Sequence, residues 1–188
     1  MGDFDYIIVG GGSSGATLAG RLTADPSVKV LLLEAGPSDR SFKIKVPLGY
    51  GSLFYDQKFN WKYETEPEPE LKGRRMYWPR GKVLGGSSAI NAMVYVRGHP
   101  NDYEEWADVA PSWNWSNVEP YFKKIESWKG EDSPVRGKYG PVGVSNVEND
   151  VHPLTNKYLE AGQELGFPYN KDYNGNHMEG VAVYQTTT

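Results

Sequence analysis

Gly10-Gly11-Gly12-Ser13-Ser14-Gly15 follows directly on the apolar run Asp5-Tyr6-Ile7-Ile8-Val9, and a lone acid, Glu34, closes the next apolar run. Gly10, Gly12 and Gly15 fit the spacing G-x-G-x-x-G. In such a segment the first glycine permits a tight turn and the second lets backbone approach a pyrophosphate. The third lets a helix lie close on a strand. The chemistry is anion binding by backbone rather than by side chains. A helix opening at Ser13 would aim the first N–H groups, those of Ser13, Ser14 and Gly15, at a diphosphate, with its dipole adding to the attraction. Glu34 stands 24 residues after Gly10, where such a unit places a carboxylate to accept hydrogen bonds from a ribose. An acid there repels a 2′-phosphate, which argues against NADP and leaves FAD or NAD.

The elements that must hold these residues are legible around them. Asp5 to Val9 is short, β-branched and apolar, as a strand buried on both faces should be. Ser13 to about Thr23 reads as the helix, with Ala19 keeping its contact with the strand thin. Val28 to Leu33 is the second strand. Together they predict a βαβ unit close to the N-terminus.

A second glycine-rich segment, Arg80-Gly81-Lys82-Val83-Leu84-Gly85-Gly86-Ser87-Ser88-Ala89-Ile90-Asn91, has a related logic. Paired glycines let backbone press against a flat ligand. Ser87-Ser88 can start a helix whose N–H groups would stabilise negative charge on a reduced ring. Taken by itself, this segment is equally well read as a plain glycine turn capped by serine.

Composition narrows the function classes. The chain has 188 residues, 38% hydrophobic and 13% aromatic, with a net charge of −4. No basic footprint for nucleic acid or acidic lipid is present, and Lys72-Gly73-Arg74-Arg75 reads as a solvated turn. With no cysteine, disulfides and thiolate metal sites are excluded. No apolar stretch approaches the roughly 20 residues that span a bilayer. Met1-Gly2-Asp3 runs straight into the first strand and leaves no room for a signal peptide, so a cytoplasmic location is expected.

Further along, Ala35 to Tyr77 shows little periodicity and carries prolines at 37, 47, 67 and 69. A loop this long, about 37–80, is expected to cover a ligand. Trp61 to Thr65 alternates like a short strand. Asn101 to Ala107 reads as a helix capped by Asn101 or Asp102, and Ser116-Asn117-Val118-Glu119 as a capping box opening a helix to about Trp128. Trp106, Trp113, Trp115, Tyr121 and Phe122 are expected to pack those helices together. Gly130 to Gly143 is a polar connector, and Leu154 to Leu165 a further amphipathic helix. No convincing third parallel strand follows. Two such strands alone leave edges unpaired and apolar faces uncovered, so residues beyond 188 or a second chain are expected to complete the sheet.

The chain resembles the N-terminal part of the glucose–methanol–choline (GMC) oxidoreductases, FAD-dependent alcohol oxidases and dehydrogenases. Gly81 through Asn91, followed by Tyr95, Gly98 and Glu104, matches the family's first signature. The segments from Asp5 to Gly12 and from Leu32 to Gly36, together with Asn60-Trp61, are also similar, at matching separations. The likeness runs from residue 4 to about 185 and is strongest to bacterial choline- and sorbose-dehydrogenase-type members.

The resemblance implies an α/β fold: a Rossmann-like FAD-binding domain of GMC type, incomplete, followed by the start of an α+β substrate domain. It implies an FAD-binding part over 1–145 and the beginning of a substrate domain over 146–188. By position, Gly10, Gly12, Ser13, Ser14, Gly15, Glu34 and Ala35 would hold the ADP half of FAD. Gly81, Leu84, Gly86, Ser88, Asn91, Ala92, Met93 and Val94 would lie along the flavin. Some members carry a flavin-linked histidine just before the motif's Asn; Ile90 stands there, implying non-covalent FAD. The family's catalytic histidine lies near the C-terminus of a chain roughly three times this length, so no catalytic residue is assigned here. His99, His152 and His177 lack metal-ligand spacing and are read as surface or packing residues. The implied reaction is oxidation of an alcohol by hydride transfer to flavin, with the C-terminal remainder as partner. The alternatives are a non-catalytic FAD-binding module, a lyase or photodecarboxylase on the same fold, or a simple NAD dehydrogenase. The segment Gly85 to Ser88 disfavours the last.

Overall fold

In the computed structural model, which describes residues 3–188, strands β1 (Tyr6–Val9) and β2 (Val30–Leu33) run parallel, Tyr6 opposite Val30 and Val9 opposite Leu33. Helix α1 (Ser13–Leu22) crosses between them, giving the expected βαβ unit. Among the described residues no third strand joins this pair. Burial departs from the expectation for β1. Ile8 is buried, while Tyr6, Ile7 and Val9 are exposed, because a two-stranded ribbon covers only the face against which α1 packs.

The described chain divides between Ala92 and Met93 into two compact units. In the first, the segment expected to be an irregular covering loop with one short strand contains more structure. α2 (Phe42–Lys45) and α3 (Tyr50–Leu53) are single turns. β3 (Tyr63–Glu64) pairs antiparallel with β4 (Tyr77–Trp78), so the strand predicted over Trp61–Thr65 is only two residues long. The core of this unit is the cluster Leu53, Phe59, Val83 and Ile90, with Ile44 and Ala89 against it. Val83 and Ile90 flank the second glycine segment, so this core lies directly beneath that motif.

The second unit holds α4 (Pro100–Ala107), α5 (Trp115–Ile125), β5 (Glu126–Trp128), β6 (Val142–Asn146), α6 (Pro153–Glu164) and β7 (Gln185–Thr186). β6 pairs in parallel with β5 and antiparallel with β7. Three expectations are corrected here. The Ser116 capping box does not form; Asn114 caps α5 by accepting from Asn117 N–H at 3.0 Å. The helix stops at Ile125 and Trp128 lies in a strand. α4 is capped by His99, whose Nδ1 accepts from Asn101 N–H at 3.1 Å, rather than by Asn101 or Asp102. The expected aromatic packing of α4 on α5 is present in part: it is centred on Tyr103, which meets Trp106, Trp115 and Phe122, and Trp113 meets Trp106, whereas Tyr121 is exposed.

A buried ionic cluster ties this unit together. The fully buried Glu126 carboxylate accepts from Arg97 Nη2 at 2.7 Å, from Arg136 Nη2 at 2.6 Å and from Gly137 N–H at 2.7 Å. Arg136 also reaches Asp172 at 2.5 Å and Gln185 Oε1 at 2.9 Å, and its guanidinium lies 3.9 Å from the Trp128 ring centroid. Two carboxylates face two guanidiniums, so the desolvated charges balance.

Removing one partner of such a cluster strands the others without water. Glu126→Ala is expected to cost about 3–5 kcal/mol in urea unfolding, whereas Lys157→Ala, which breaks the exposed pair with Glu160, should cost less than about 0.5 kcal/mol. Equal effects would show that the cluster is not a structural centre. A second prediction concerns alkaline pH. Burial, together with the hydrogen bond to Glu148 and its charge, pushes the Tyr169 phenol up to about 12. The neutral phenol is therefore favoured by the fold. Its contribution is complete below the ordinary tyrosine value near 10 and is lost as pH rises from there toward 12. Tyr169→Phe should flatten that part of the stability–pH curve, and an unchanged slope would count against the Glu148 contact.

Candidate functional site

Gly10 has φ +99° and sends its N–H to Leu33 O at 2.7 Å, so the chain turns sharply off β1 while still tied to the end of β2. Gly15 packs against the carbonyl of Gly10, where a Cβ would collide with the oxygen. α1 then begins after Gly12, which offers no side-chain cap, and the first turn carries no acid. The leading N–H groups of a ten-residue helix are thus left for a ligand.

Glu34 is engaged twice. Its Oε2 accepts from Gly11 N–H at 2.7 Å and its Oε1 from Gly36 N–H at 2.8 Å. The carboxylate therefore splints the turn after β1 to the turn after β2, and each oxygen keeps a further lone pair.

The two glycine segments meet. Gly85 N–H donates to Gly11 O at 2.8 Å, Gly12 and Gly85 form an isolated parallel bridge, and Ser13 Oγ donates to Ser88 Oγ at 3.1 Å. A Cβ on Gly86 would stand 2.8 Å from Gly12 Cα, so only glycine permits this approach. Gly85 and Gly86 both have positive φ, +94° and +61°. The predicted helix after them is a four-residue 3₁₀ turn, Gly86–Ala89, with Ser88 Oγ folded back onto Gly85 O at 2.6 Å.

Around this junction lies an open cleft of about 800 Å³, within the ~300–1,000 Å³ range of small-molecule sites. From the first motif it is lined by Gly10, Gly12, Ser13, Ser14 and Gly15, and from the end of β2 by Glu34 and Ala35. Gly81 and Gly86 enter from the second motif. Leu84 sits instead against Gly11, and Ser88, outside the lining, is exposed and accepts from Ser13. Asn91 and Ala92 are exposed after the 3₁₀ turn. Met93 and Val94 begin the second unit. Met93 has φ +63° and accepts from Thr187 N–H at 2.8 Å, and Val94 bridges to Thr186.

Four lining residues, Val9, Leu33, Trp61 and Ser87, were not among the sequence-derived candidates. Val9 and Leu33 end the two parallel strands and could have been found from that rule. Trp61 arrives through an unforeseen pairing of residues 60 and 81. Of the three histidines, His99 and His177 line one small pocket, and His152 is not among its lining residues. His99 and His152 cap α4 and α6, and His177 lends its carbonyl to Asn170. Among the described residues no group of three or more His, Asp or Glu could hold a metal, and no helix is long and apolar enough to cross a membrane.

Residues 4–188 match the GMC oxidoreductase family, and the chain belongs to that family. It is 47% identical over 186 residues to an alcohol dehydrogenase [acceptor] of Pseudomonas putida, covering 98% of this chain and 34% of that one. It is also 47% identical over 186 residues to an oxygen-dependent choline dehydrogenase of Photobacterium profundum, with 98% and 33% covered. Among solved structures, pyridoxine 4-oxidase from Mesorbium loti superimposes with a TM-score of 0.92 at 37% identity, over 99% of this chain and 37% of that one. The chain thus spans about a third of the length of these relatives.

Gly86→Ala would introduce both a strained backbone and a collision with Gly12. It is expected to lose about 2 kcal/mol or more in chemical denaturation. Gly20→Ala, in α1 with nothing within 4 Å of the new methyl, should gain about 0.5–1 kcal/mol. A Gly86→Ala protein as stable as the parent would mean that the two segments need not touch.

Proposed function

We propose that this chain is the FAD-binding N-terminal portion of an enzyme that oxidises a small alcohol, with the base that takes the hydroxyl proton supplied by a C-terminal remainder. The observation that carries the reading is the union of both glycine segments in one cleft, since a plain NAD site needs only the first. The assignment of residues 1–145 to cofactor binding and 146–188 to the start of a substrate domain belongs to the same proposal.

The residues present suit the group. The uncapped start of α1 binds a diphosphate through backbone N–H groups, and the free lone pairs of Glu34 accept ribose hydroxyls. Gly81 and Gly86 carry no side chain where a flat ring must lie against backbone. FAD, when bound, supplies the hydride acceptor. Attachment is non-covalent at the position before Asn91, because Ile90 is buried in the core with Leu53, Phe59 and Val83 and has no nucleophilic atom. Alcohol and choline dehydrogenases among the relatives make primary alcohols the first substrates to try.

The test uses the full-length protein. Purified as isolated, it should be yellow, with an absorbance band near about 450 nm that bleaches anaerobically when choline or a simple primary alcohol is added. The cofactor should be released by denaturation without proteolysis. A colourless protein that takes up no FAD overturns the reading. A yellow protein that binds FAD but is reduced by no alcohol overturns the reaction while leaving the site.

A further inference from the structure

Asn60 is 1% exposed, does not line the cleft, and has no task in the reading above. Its carboxamide is fully engaged. Oδ1 accepts from Lys62 N–H at 2.9 Å and from Arg80 N–H at 3.0 Å. Nδ2 donates to Phe54 O at 2.9 Å and to the Tyr77 hydroxyl at 3.3 Å, and Tyr77 in turn donates to the same Phe54 carbonyl. Two N–H groups face one end of the amide and a carbonyl faces the other, so only one orientation fits. Buried as it is, the amide cannot replace a lost partner with water, and each bond is enforced by the cost of breaking it.

The acceptor end reaches the chain that enters the cleft. Arg80, whose N–H it holds, precedes Gly81, and Gly81 lines the cleft with Gly86 and Ser87. Asn60 and Gly81 form an isolated antiparallel bridge, with Trp61 N–H on Arg80 O at 2.9 Å and Lys82 N–H on Phe59 O at 2.8 Å. Gly81 N–H continues to Ser87 Oγ at 3.1 Å, and a Cβ on Gly81 would collide with the Gly86 carbonyl. A shift at Arg80 therefore passes to Gly86 with no slack. Lys62, held by the same oxygen, adopts φ +56°, a left-handed conformation unfavourable for a residue with a Cβ.

We infer that Asn60 is a positioning residue for the cofactor wall. Through Arg80 N–H, its Oδ1 sets where Gly81 and Gly86 stand in the cleft before any ligand is bound. The inference rests on the FAD reading above. The two ends of the amide then do different work: the acceptor end places the wall, and the donor end anchors the side chain to Phe54 and adds stability only.

The test is made on the full-length protein. In the apoprotein, deuterium exchange of the 80–82 amides should already be slow, and FAD should slow it further by less than about twofold. A strip left unprotected until FAD is added overturns the inference, because the ligand and not the amide would then set the wall. This measurement needs no variant and decides the matter where a variant does not fold. Asn60→Ala, which removes both ends, should quicken that exchange and raise the FAD dissociation constant about tenfold. Asn60→Asp keeps both acceptors and loses the donors. It should lower the urea midpoint yet hold FAD within about threefold of the parent, and Tyr77→Phe, which touches only the donor end, should behave alike. FAD constants that follow the urea midpoint in the same way across all three variants overturn the positioning role and leave Asn60 a structural residue. A parent protein that takes up no FAD overturns the inference together with the reading on which it rests.

Discussion

The first unit is organised by one steric fact: two backbones pass so close at Gly12 and Gly86 that Gly86 has no room for a side chain. A Cβ on Gly86 would stand 2.8 Å from Gly12 Cα, and a hydrogen bond from Gly85 to Gly11 seals the same approach. Everything around the cleft follows from that closeness. It sets the start of α1 beside the 3₁₀ turn of the second motif and lets the Ser13 and Ser88 hydroxyls meet. It also leaves one continuous wall made of backbone. Glu34 serves the same purpose from below, since a carboxylate that takes N–H groups from Gly11 and Gly36 fixes two turns that would otherwise be free to open. The acid expected as a ribose acceptor is therefore also a structural splint, and one residue type suits both tasks because each oxygen has two lone pairs.

How much of this was legible depends on whether the signal was local. The βαβ unit was readable because a β-branched run, a glycine spacing, a helix pattern and an acid all lie within 30 or so residues of one another. The parallel strands Glu126–Trp128 and Val142–Asn146 were not readable. The amphipathic pattern of α5 runs on toward Trp128, and a charged residue such as Glu126 reads as surface. Only distant partners, Arg97 from one side and Arg136 from the other, make its burial tolerable. Trp61 was hidden for the same reason, as its place in the cleft depends on pairing with a segment 20 residues further on.

The helix caps show a middle case, in which the information was local but the rule applied was the wrong one. Helices α4 and α6 both begin at a His-Pro step. Proline suits the first helical position and forces the residue before it out of the helical region. His99 and His152 accordingly have ψ of 138° and 141°, the extended geometry of a cap, and each Nδ1 takes the N–H two residues on. A search for Ser, Thr, Asp or Asn places the start of α4 at Asn101 or Asp102 and passes over a cap that the proline alone specifies. This arrangement gives two of the three histidines a structural task.

Exposure along the two parallel strands falls into two kinds. Ile7 is 62% exposed and Val9 83%, values far from those of a strand covered on both faces. Parallel strands bind ligands at their carboxyl ends, and Val9 and Leu33 are the last residues of β1 and β2 and line the cleft. Their exposure is that of a site wall. Ile7 lies within the strand, and its side chain stands on the sheet rather than at its end, so no ligand at the carboxyl edge can cover it. Apolar residues at such a position are normally buried by neighbouring strands or crossover helices, which the proposed C-terminal remainder would supply. The cleft wall and its glycine junction rest instead on the Leu53, Phe59, Val83 and Ile90 core, which is complete within the first unit. The half of the binding wall built from the second motif is thus set by that core, while Val9 and Leu33 belong to the sheet itself.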